Sequence, residues 1–127
     1  MPIEGLNHFN VLTDDVDATV RFYSDILQLE AGPRPSFDFP GAWLYSGGKP
    51  IVHVSGGRSR EELRRGVLDH MAFTATDLPA TLAALKERGV KHVCRRQPTS
   101  GTWQVFFDDP NGATLELDFS AQERDSA

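Results

Sequence analysis

Two short stretches of the chain share one pattern of apolar and polar positions. They are Leu6-Asn7-His8-Phe9-Asn10-Val11 and Leu68-Asp69-His70-Met71-Ala72-Phe73. Each has a histidine two residues after a leucine, and apolar residues one and three places after that histidine. Strict alternation predicts a β-strand with one apolar face and one mixed, polar face. The offset between the copies is 62 residues, the difference between positions 8 and 70. The chain is therefore predicted to contain one unit twice.

Each stretch is followed by a helical pattern and then by further strands. Asp15 and Asp77 supply N-cap chemistry before apolar positions at helical spacing, which predicts helices over 16–27 and from 78 to a C-cap near Gly89. The turn Asp109-Pro110-Asn111-Gly112 precedes the last strand. The remaining strand candidates lie around 37–39, 42–45 and 51–55 in the first half, and around 91–95, 103–107 and 113–119 in the second.

Each half therefore has the order βαβββ, and the fold class is α+β. We predict one domain made of two repeats, with a first module at 4–56, a linker at 57–66, a second module at 67–120 and a tail at 121–127. A single module leaves one face of its sheet exposed and needs a partner. Two copies in one chain meet that requirement.

Composition excludes several classes of function. The formal charge of −5, without a basic run interleaved with aromatics, argues against a nucleic acid partner. No apolar run reaches the roughly 20 residues of a membrane helix, and we see no signal pattern, so we expect no membrane partner and a cytoplasmic protein. Cys94 is the single cysteine, which excludes an internal disulfide and predicts a small buried residue.

The polar faces of the first and last strands carry candidate metal ligands. His8 and His70 occupy equivalent positions on the first strands. His53 and Glu116 occupy equivalent positions on the last strands, at an offset of 63, the difference between 53 and 116. Three imidazoles and a carboxylate facing one concavity suit a divalent first-row metal, namely Fe, Mn, Ni, Co or Zn. A lone strand histidine is more often structural, but two repeat-equivalent pairs rarely arise by chance.

With these residues the chain resembles the vicinal oxygen chelate superfamily, which includes glyoxalase I, extradiol dioxygenases, fosfomycin-resistance enzymes, methylmalonyl-CoA epimerase and bleomycin-resistance proteins. The stretches that carry the resemblance are Leu6-Asn7-His8, Phe22-Tyr23-Ser24-Asp25-Ile26-Leu27-Gln28-Leu29, Leu68-Asp69-His70 and Phe107-Asp108-Asp109-Pro110-Asn111-Gly112-Ala113-Thr114-Leu115-Glu116-Leu117. The resemblance implies two βαβββ modules whose curved, partly closed mixed sheet surrounds a metal held by His8, His53, His70 and Glu116. It also implies a small-molecule substrate and frequent homodimers.

The chemistry implied by the resemblance depends on His53. Four protein ligands leave two positions of an octahedral metal for adjacent substrate oxygens, which suits a glyoxalase-like lyase or isomerase with Glu116 as general base. Glyoxalase I, however, usually has Glu or Gln where this chain has His53. An extradiol dioxygenase using Fe(II) needs only His8, His70 and Glu116, so that His53 is available as an acid–base group. A metal-free, antibiotic-binding protein is a third hypothesis.

Aromatic residues supply candidates for the substrate pocket. Phe39, Trp43, Trp103 and Phe107 are predicted to line it, although ordinary core or interface roles are at least as common for such residues. Arg34, Arg95 and Arg96 are candidates for holding a carboxylate, with simple surface exposure as the alternative.

Overall fold

The computed structural model describes residues 6–63, 68 and 70–125. The chain divides into two compact units, Met1–Arg64 and Arg65–Ala127, which are described separately. Over the described residues, each unit contains one α-helix and one four-stranded mixed sheet, in the order βαβββ. The predicted α+β class and the duplicated module are confirmed.

The first unit begins with β1 (Phe9–Leu12) and α1 (Val16–Leu27) and continues with three strands. These are β2 (Glu30–Gly32), β3 (Gly41–Ser46) and β4 (Lys49–Ser55), and the sheet order is β1-β4-β3-β2. The first and last strands pair in parallel, and the others are antiparallel. A short 3₁₀ helix, Arg60–Glu62, follows the sheet.

Helix α1 has the boundaries that the sequence predicts, because its caps are local. Asp15 accepts a hydrogen bond from the Ala18 amide at the N-terminus. Gln28 ends the helix in the left-handed conformation, with a φ of 57°, and its amide bonds to the Tyr23 carbonyl. Between these caps the helix packs a buried stripe onto the sheet, formed by Thr19, Phe22, Tyr23 and Ile26.

The prediction of a strand around Phe37–Phe39 is wrong. The edge strand is β2, at Glu30–Gly32, and the segment 33–40 has no regular structure. Three prolines in that segment lack the amide hydrogens that a ladder needs. Every residue of β2 is exposed, so no apolar alternation marked it in the sequence.

The second unit repeats the same order. It comprises β5 (Met71–Thr74), α2 (Leu78–Glu87), β6 (His92–Arg96), β7 (Trp103–Asp108) and β8 (Thr114–Phe119), with sheet order β5-β8-β7-β6. Asp77 caps α2 through the Ala80 amide, and Gly89 follows the helix with a φ of 68°, both as predicted. The Glu123 carboxylate accepts hydrogen bonds from the amides of Asp77 and Leu78, which ties the C-terminal segment to this helix.

The helix-facing side of each sheet forms its core. Val52 and Val54 of β4 are at most 1% exposed, and Leu115 and Leu117 of β8 at most 3%. Because strand residues alternate between faces, this packing directs His53 and Glu116 to the opposite face of their sheets, as predicted. In the part of the chain that the structure describes, neither helix has the length and apolar character needed to span a membrane.

Candidate metal centre

In the first unit, the candidate ligand on the last strand lies within a stack of flat rings. His53 is paired with Asn10 of β1 and with Trp43 of β3. The Trp43 ring lies 4.1 Å from the His53 ring at an interplanar angle of 12°. The His8 ring lies 3.8 Å from the His53 ring at 11°. The His53 imidazole is therefore held in one plane between two other rings.

The hydrogen bonding of His53 leaves one ring nitrogen available. The buried Nε2 has no hydrogen-bond partner among the described residues. The backbone carbonyl of Pro50 accepts a hydrogen bond from the ring, and this bond therefore involves Nδ1. Burial and the nearby His8 lower the pKa of His53, and the Pro50 carbonyl opposes them. A neutral imidazole with an unpaired, buried nitrogen is the form of histidine that binds a metal.

His8 has a similar arrangement, although it is exposed. Its Nδ1 lies 2.7 Å from Asn7 Oδ1. A carboxamide oxygen only accepts hydrogen bonds, so His8 Nδ1 donates in this bond and Nε2 is the ring nitrogen left to bind a ligand. A second polar group that fixes the tautomer in this way is common behind histidine ligands.

The second unit brings its two candidate ligands into direct contact. His70 Nε2 lies 3.1 Å from Glu116 Oε1, and the Glu116 side chain is only 8% exposed. The other carboxylate oxygen, Oε2, accepts a hydrogen bond from Gln104 Nε2 at 3.2 Å. Phe106 pairs with Glu116 across the strands and meets the His70 ring edge to face at 6.0 Å. The carboxylate is thus fixed at both oxygens.

Two residues beside Glu116 were not predicted from the sequence. Asp118 lies on the same face two residues later, so strand alternation gave a usable signal for it. Burial, together with a hydrogen bond to Glu116 and that residue's charge, raises the pKa of Asp118 to about 6, and His70 acts in the opposite direction. Gln104 is oriented in turn by Arg95, whose Nε donates to Gln104 Oε1 at 3.4 Å. Only the cross-strand register reveals the position of Gln104.

The structure thus forms two pairs of candidate ligands, one in each unit. Within each unit, taken over the described residues, no third His, Cys, Asp or Glu completes a group that could hold a metal ion by itself. The donors nevertheless fit a divalent cation. The first unit offers imidazole nitrogens, one of them buried without a partner. The second offers an imidazole beside a carboxylate, two groups that each bind either a proton or a metal cation.

The predicted pocket residues separate into two groups. Trp43 lies directly against His53, on the sheet face that carries the candidate ligands, which we call the ligand face. Phe39 lies in the loop before β3. Trp103 and Phe107 pair with the buried Phe119 and Leu115, on the face of β7 opposite Glu116. The ligand face of β7 instead carries Gln104 and Phe106.

Comparison with known proteins identifies the family. Residues 5–117 match the sequence profile described as the Glyoxalase/Bleomycin resistance protein/Dioxygenase superfamily. The chain belongs to this superfamily. The superfamily match covers nearly all of both units, and it confirms the family suggested by the sequence motifs.

Similar proteins within the superfamily include a plant protein and several bacterial structures. Glyoxylase I 4 of Arabidopsis thaliana is 30% identical over 123 residues, which cover 91% of this chain and 70% of the plant protein. A mutant of the fosfomycin resistance protein FosX of Listeria monocytogenes, solved with Mn(II) and 1S,2S-dihydroxypropylphosphonic acid, matches with a TM-score of 0.76, 19% identity and 93% of each chain covered. A glyoxylase/bleomycin resistance protein/dioxygenase domain from Frankia sp. matches with a TM-score of 0.75, 23% identity and 96% of each chain covered.

Proposed function

We propose that the protein is a divalent-metal-dependent enzyme of glyoxalase type, a lyase or isomerase that binds a small substrate through two adjacent oxygens. The proposed ligands of one Fe, Mn, Ni, Co or Zn ion are His8, His53, His70 and Glu116. The observation that carries the proposal is the buried, unpaired Nε2 of His53.

The unpaired nitrogen favours the lyase or isomerase over the dioxygenase. A buried polar atom without a partner costs about 1–3 kcal/mol, so its presence calls for a ligand. If His53 binds the metal, four protein donors leave two octahedral positions, which is sufficient for two adjacent substrate oxygens. Ring cleavage by a dioxygenase needs a third open position for O₂.

The bound cation would act as a Lewis acid on the two substrate oxygens. Glu116 is a proposed ligand that would also serve as the general base: once displaced from the cation, its carboxylate would accept a proton from the carbon next to a substrate carbonyl. Gln104 holds Oε2 of Glu116, so Oε1, beside His70, is the oxygen positioned to take the proton. In His8 and His53 the Nδ1 atom is engaged by Asn7 and by the Pro50 carbonyl respectively, which leaves Nε2 of each ring as the donor that would bind the cation.

The relatives support this proposal at the level of chemical class. The FosX structure contains Mn(II) together with a molecule that bears adjacent hydroxyl groups. The plant relative is named as a glyoxylase. By extension from the superfamily we also propose a homodimer, which light scattering coupled to gel filtration will test.

Metal binding is the first test. Protein stripped with EDTA is titrated calorimetrically with Mn²⁺, Ni²⁺, Co²⁺, Zn²⁺ and, under argon, Fe²⁺. We expect one equivalent to bind and to raise the melting temperature. His70→Ala and His53→Ala should lose most of this affinity. His92→Ala is the matched control, because the Nδ1 of His92 is already bonded to the Val90 carbonyl. Full metal content in His53→Ala contradicts the four-ligand centre, and no metal-induced gain in stability favours the metal-free binding protein.

The reaction class is tested with the metal-loaded enzyme. A panel of α-hydroxycarbonyl compounds in D₂O is followed by NMR, and we expect exchange of the hydrogen next to the carbonyl. Glu116→Gln should abolish the exchange. In parallel, protein reconstituted anaerobically with Fe(II) is exposed to catechols and air. Oxygen uptake with a yellow ring-cleavage product would overturn the lyase or isomerase assignment.

A further inference from the structure

A continuous row of aromatic rings extends from the candidate ligands of the first unit to its surface. His8 stacks on His53, and His53 stacks on Trp43, as described above. Trp43 then meets Phe37 at 6.4 Å and 46°, and Phe37 stacks on Phe39 at 5.1 Å and 17°. We call these five residues the ring row.

The outer end of the ring row is exposed although it is strongly apolar. Phe37 is 45% exposed and Phe39 is 38% exposed, and both lie in the loop between β2 and β3. Prolines at 33, 35 and 40 restrict the conformations of this loop, so its rings lose little further entropy when a ligand binds. Exposed aromatic rings on a restrained loop are well suited to bind another flat apolar group.

A cation accompanies these two rings. The Arg34 guanidinium lies 4.7 Å from the centre of the Phe37 ring and 5.1 Å from that of Phe39. Its Nη2 donates to the Phe39 carbonyl at 3.0 Å, which holds the side chain in place. Among the described residues no carboxylate forms an ion pair with it, so several of its N–H groups are available.

The combination selects one kind of ligand. A carboxylate accepts two parallel hydrogen bonds from a guanidinium, and an aromatic body attached to it can lie on the phenyl rings. The protein as a whole carries a formal charge of −5, which repels anions in general, so an anion must be attracted locally. One arginine suits a singly charged group better than a phosphate.

We propose that the ring row and Arg34 form a subsite for an aromatic carboxylate, and that the substrate class is an aromatic acid with two adjacent oxygens elsewhere in the molecule. The aromatic body lies against Phe37 and Trp43, and its carboxylate binds Arg34. The position of the adjacent oxygens at His8 and His53 rests on the function proposed above. The aromatic carboxylate subsite itself does not require the metal.

The subsite is tested by calorimetry on full-length protein in EDTA with three probes. We expect 2-naphthoate to bind about tenfold more tightly than 2-naphthalenemethanol, which lacks the charge, and than cyclohexanecarboxylate, which lacks the aromatic face. Arg34→Gln should remove the preference for 2-naphthoate over the alcohol, and Phe37→Leu should weaken both aromatic probes. Arg96→Gln is a matched control, because Arg96 also lies over an aromatic ring, Trp103, and also bonds a backbone carbonyl.

The position of the probe is read by NMR. In ¹H–¹⁵N spectra the indole signal of Trp43 should shift with 2-naphthoate, whereas that of Trp103, bonded to the Glu123 carbonyl, should not. Equal affinity for the acid and the alcohol, retained preference in Arg34→Gln, or a shift confined to Trp103 would each overturn the subsite. Because all measurements are made in EDTA, failure of the metal centre leaves their outcome unchanged, and their failure leaves the metal titrations unchanged.

Discussion

Replacing His53 with Phe should stabilise the metal-free protein while abolishing its response to metal. A phenyl ring preserves the stack between Trp43 and His8, and it removes the buried Nε2 that has no partner. Removing that unpaired atom should raise the free energy of unfolding by about 1–3 kcal/mol, and losing the bond to the Pro50 carbonyl should lower it by about 0.5–1.5 kcal/mol. We expect a net gain of about 1 kcal/mol, or about 4 °C in melting temperature for a chain of this size.

The control for this prediction is His92→Phe. That substitution also removes a bond from Nδ1 to a backbone carbonyl, that of Val90, but it relieves no buried unpaired nitrogen. It should lower stability by about 1 kcal/mol, so the two variants should differ by about 2 kcal/mol. The assay is thermal unfolding in EDTA and again with excess Mn²⁺. If His53→Phe in EDTA is destabilised as much as His92→Phe, then His53 Nε2 is satisfied in solution and the reasoning fails.

Three further predictions concern local structure. Asp109→Ala should destabilise the protein by about 2–4 kcal/mol in urea unfolding, because the buried Oδ1 accepts two backbone hydrogen bonds in the turn before β8, and Asp109→Asn should cost less. Gln28→Gly should raise stability by about 0.5 kcal/mol, since glycine adopts the left-handed helix end without strain; a lower melting temperature would show that the Gln28 side chain contributes more than its backbone costs. Burial, reinforced by Asp125, raises the pKa of the Cys94 thiol, so the thiolate is scarce near neutral pH. Alkylation by iodoacetamide should be slow at pH 7.5, accelerate above pH 9 and become faster in Asp125→Asn; rapid labelling at pH 7.5 would contradict this.

The parts of the fold that local chemistry determines were predictable. Helix α1 has an N-cap at Asp15 and an apolar stripe, so both its position and its length followed from the sequence. Strand β2 was not predictable, because a three-residue edge strand with every side chain exposed has no apolar period. The Phe-Asp-Phe alternation at 37–39 resembled a strand, but the surrounding prolines prevent pairing.

The candidate site, like the fold, could be predicted from the sequence only in part. The sheet face of Glu116 and of His53 followed from alternation along single strands. The stacking of Trp43 on His53 and the bond from Gln104 to Glu116 depend on which residues lie opposite one another on neighbouring strands. Cross-strand register is set by turns and bulges, including the irregularity between Leu44 and Tyr45, and periodicity within one strand does not contain it.

The parallel pairing of first and last strands has a consequence for the side chains of the two sheets. β1 pairs with β4 and β5 pairs with β8, so every described ladder is completed inside one unit. In a chain built of two copies of one module, a side chain on the face opposite the helix can therefore differ between the copies without disturbing the backbone pairing of the other copy. The equivalent positions now hold an imidazole in one copy and a carboxylate in the other, His53 and Glu116. The same position of the module can thus carry chemically different side chains on one unchanged backbone ladder.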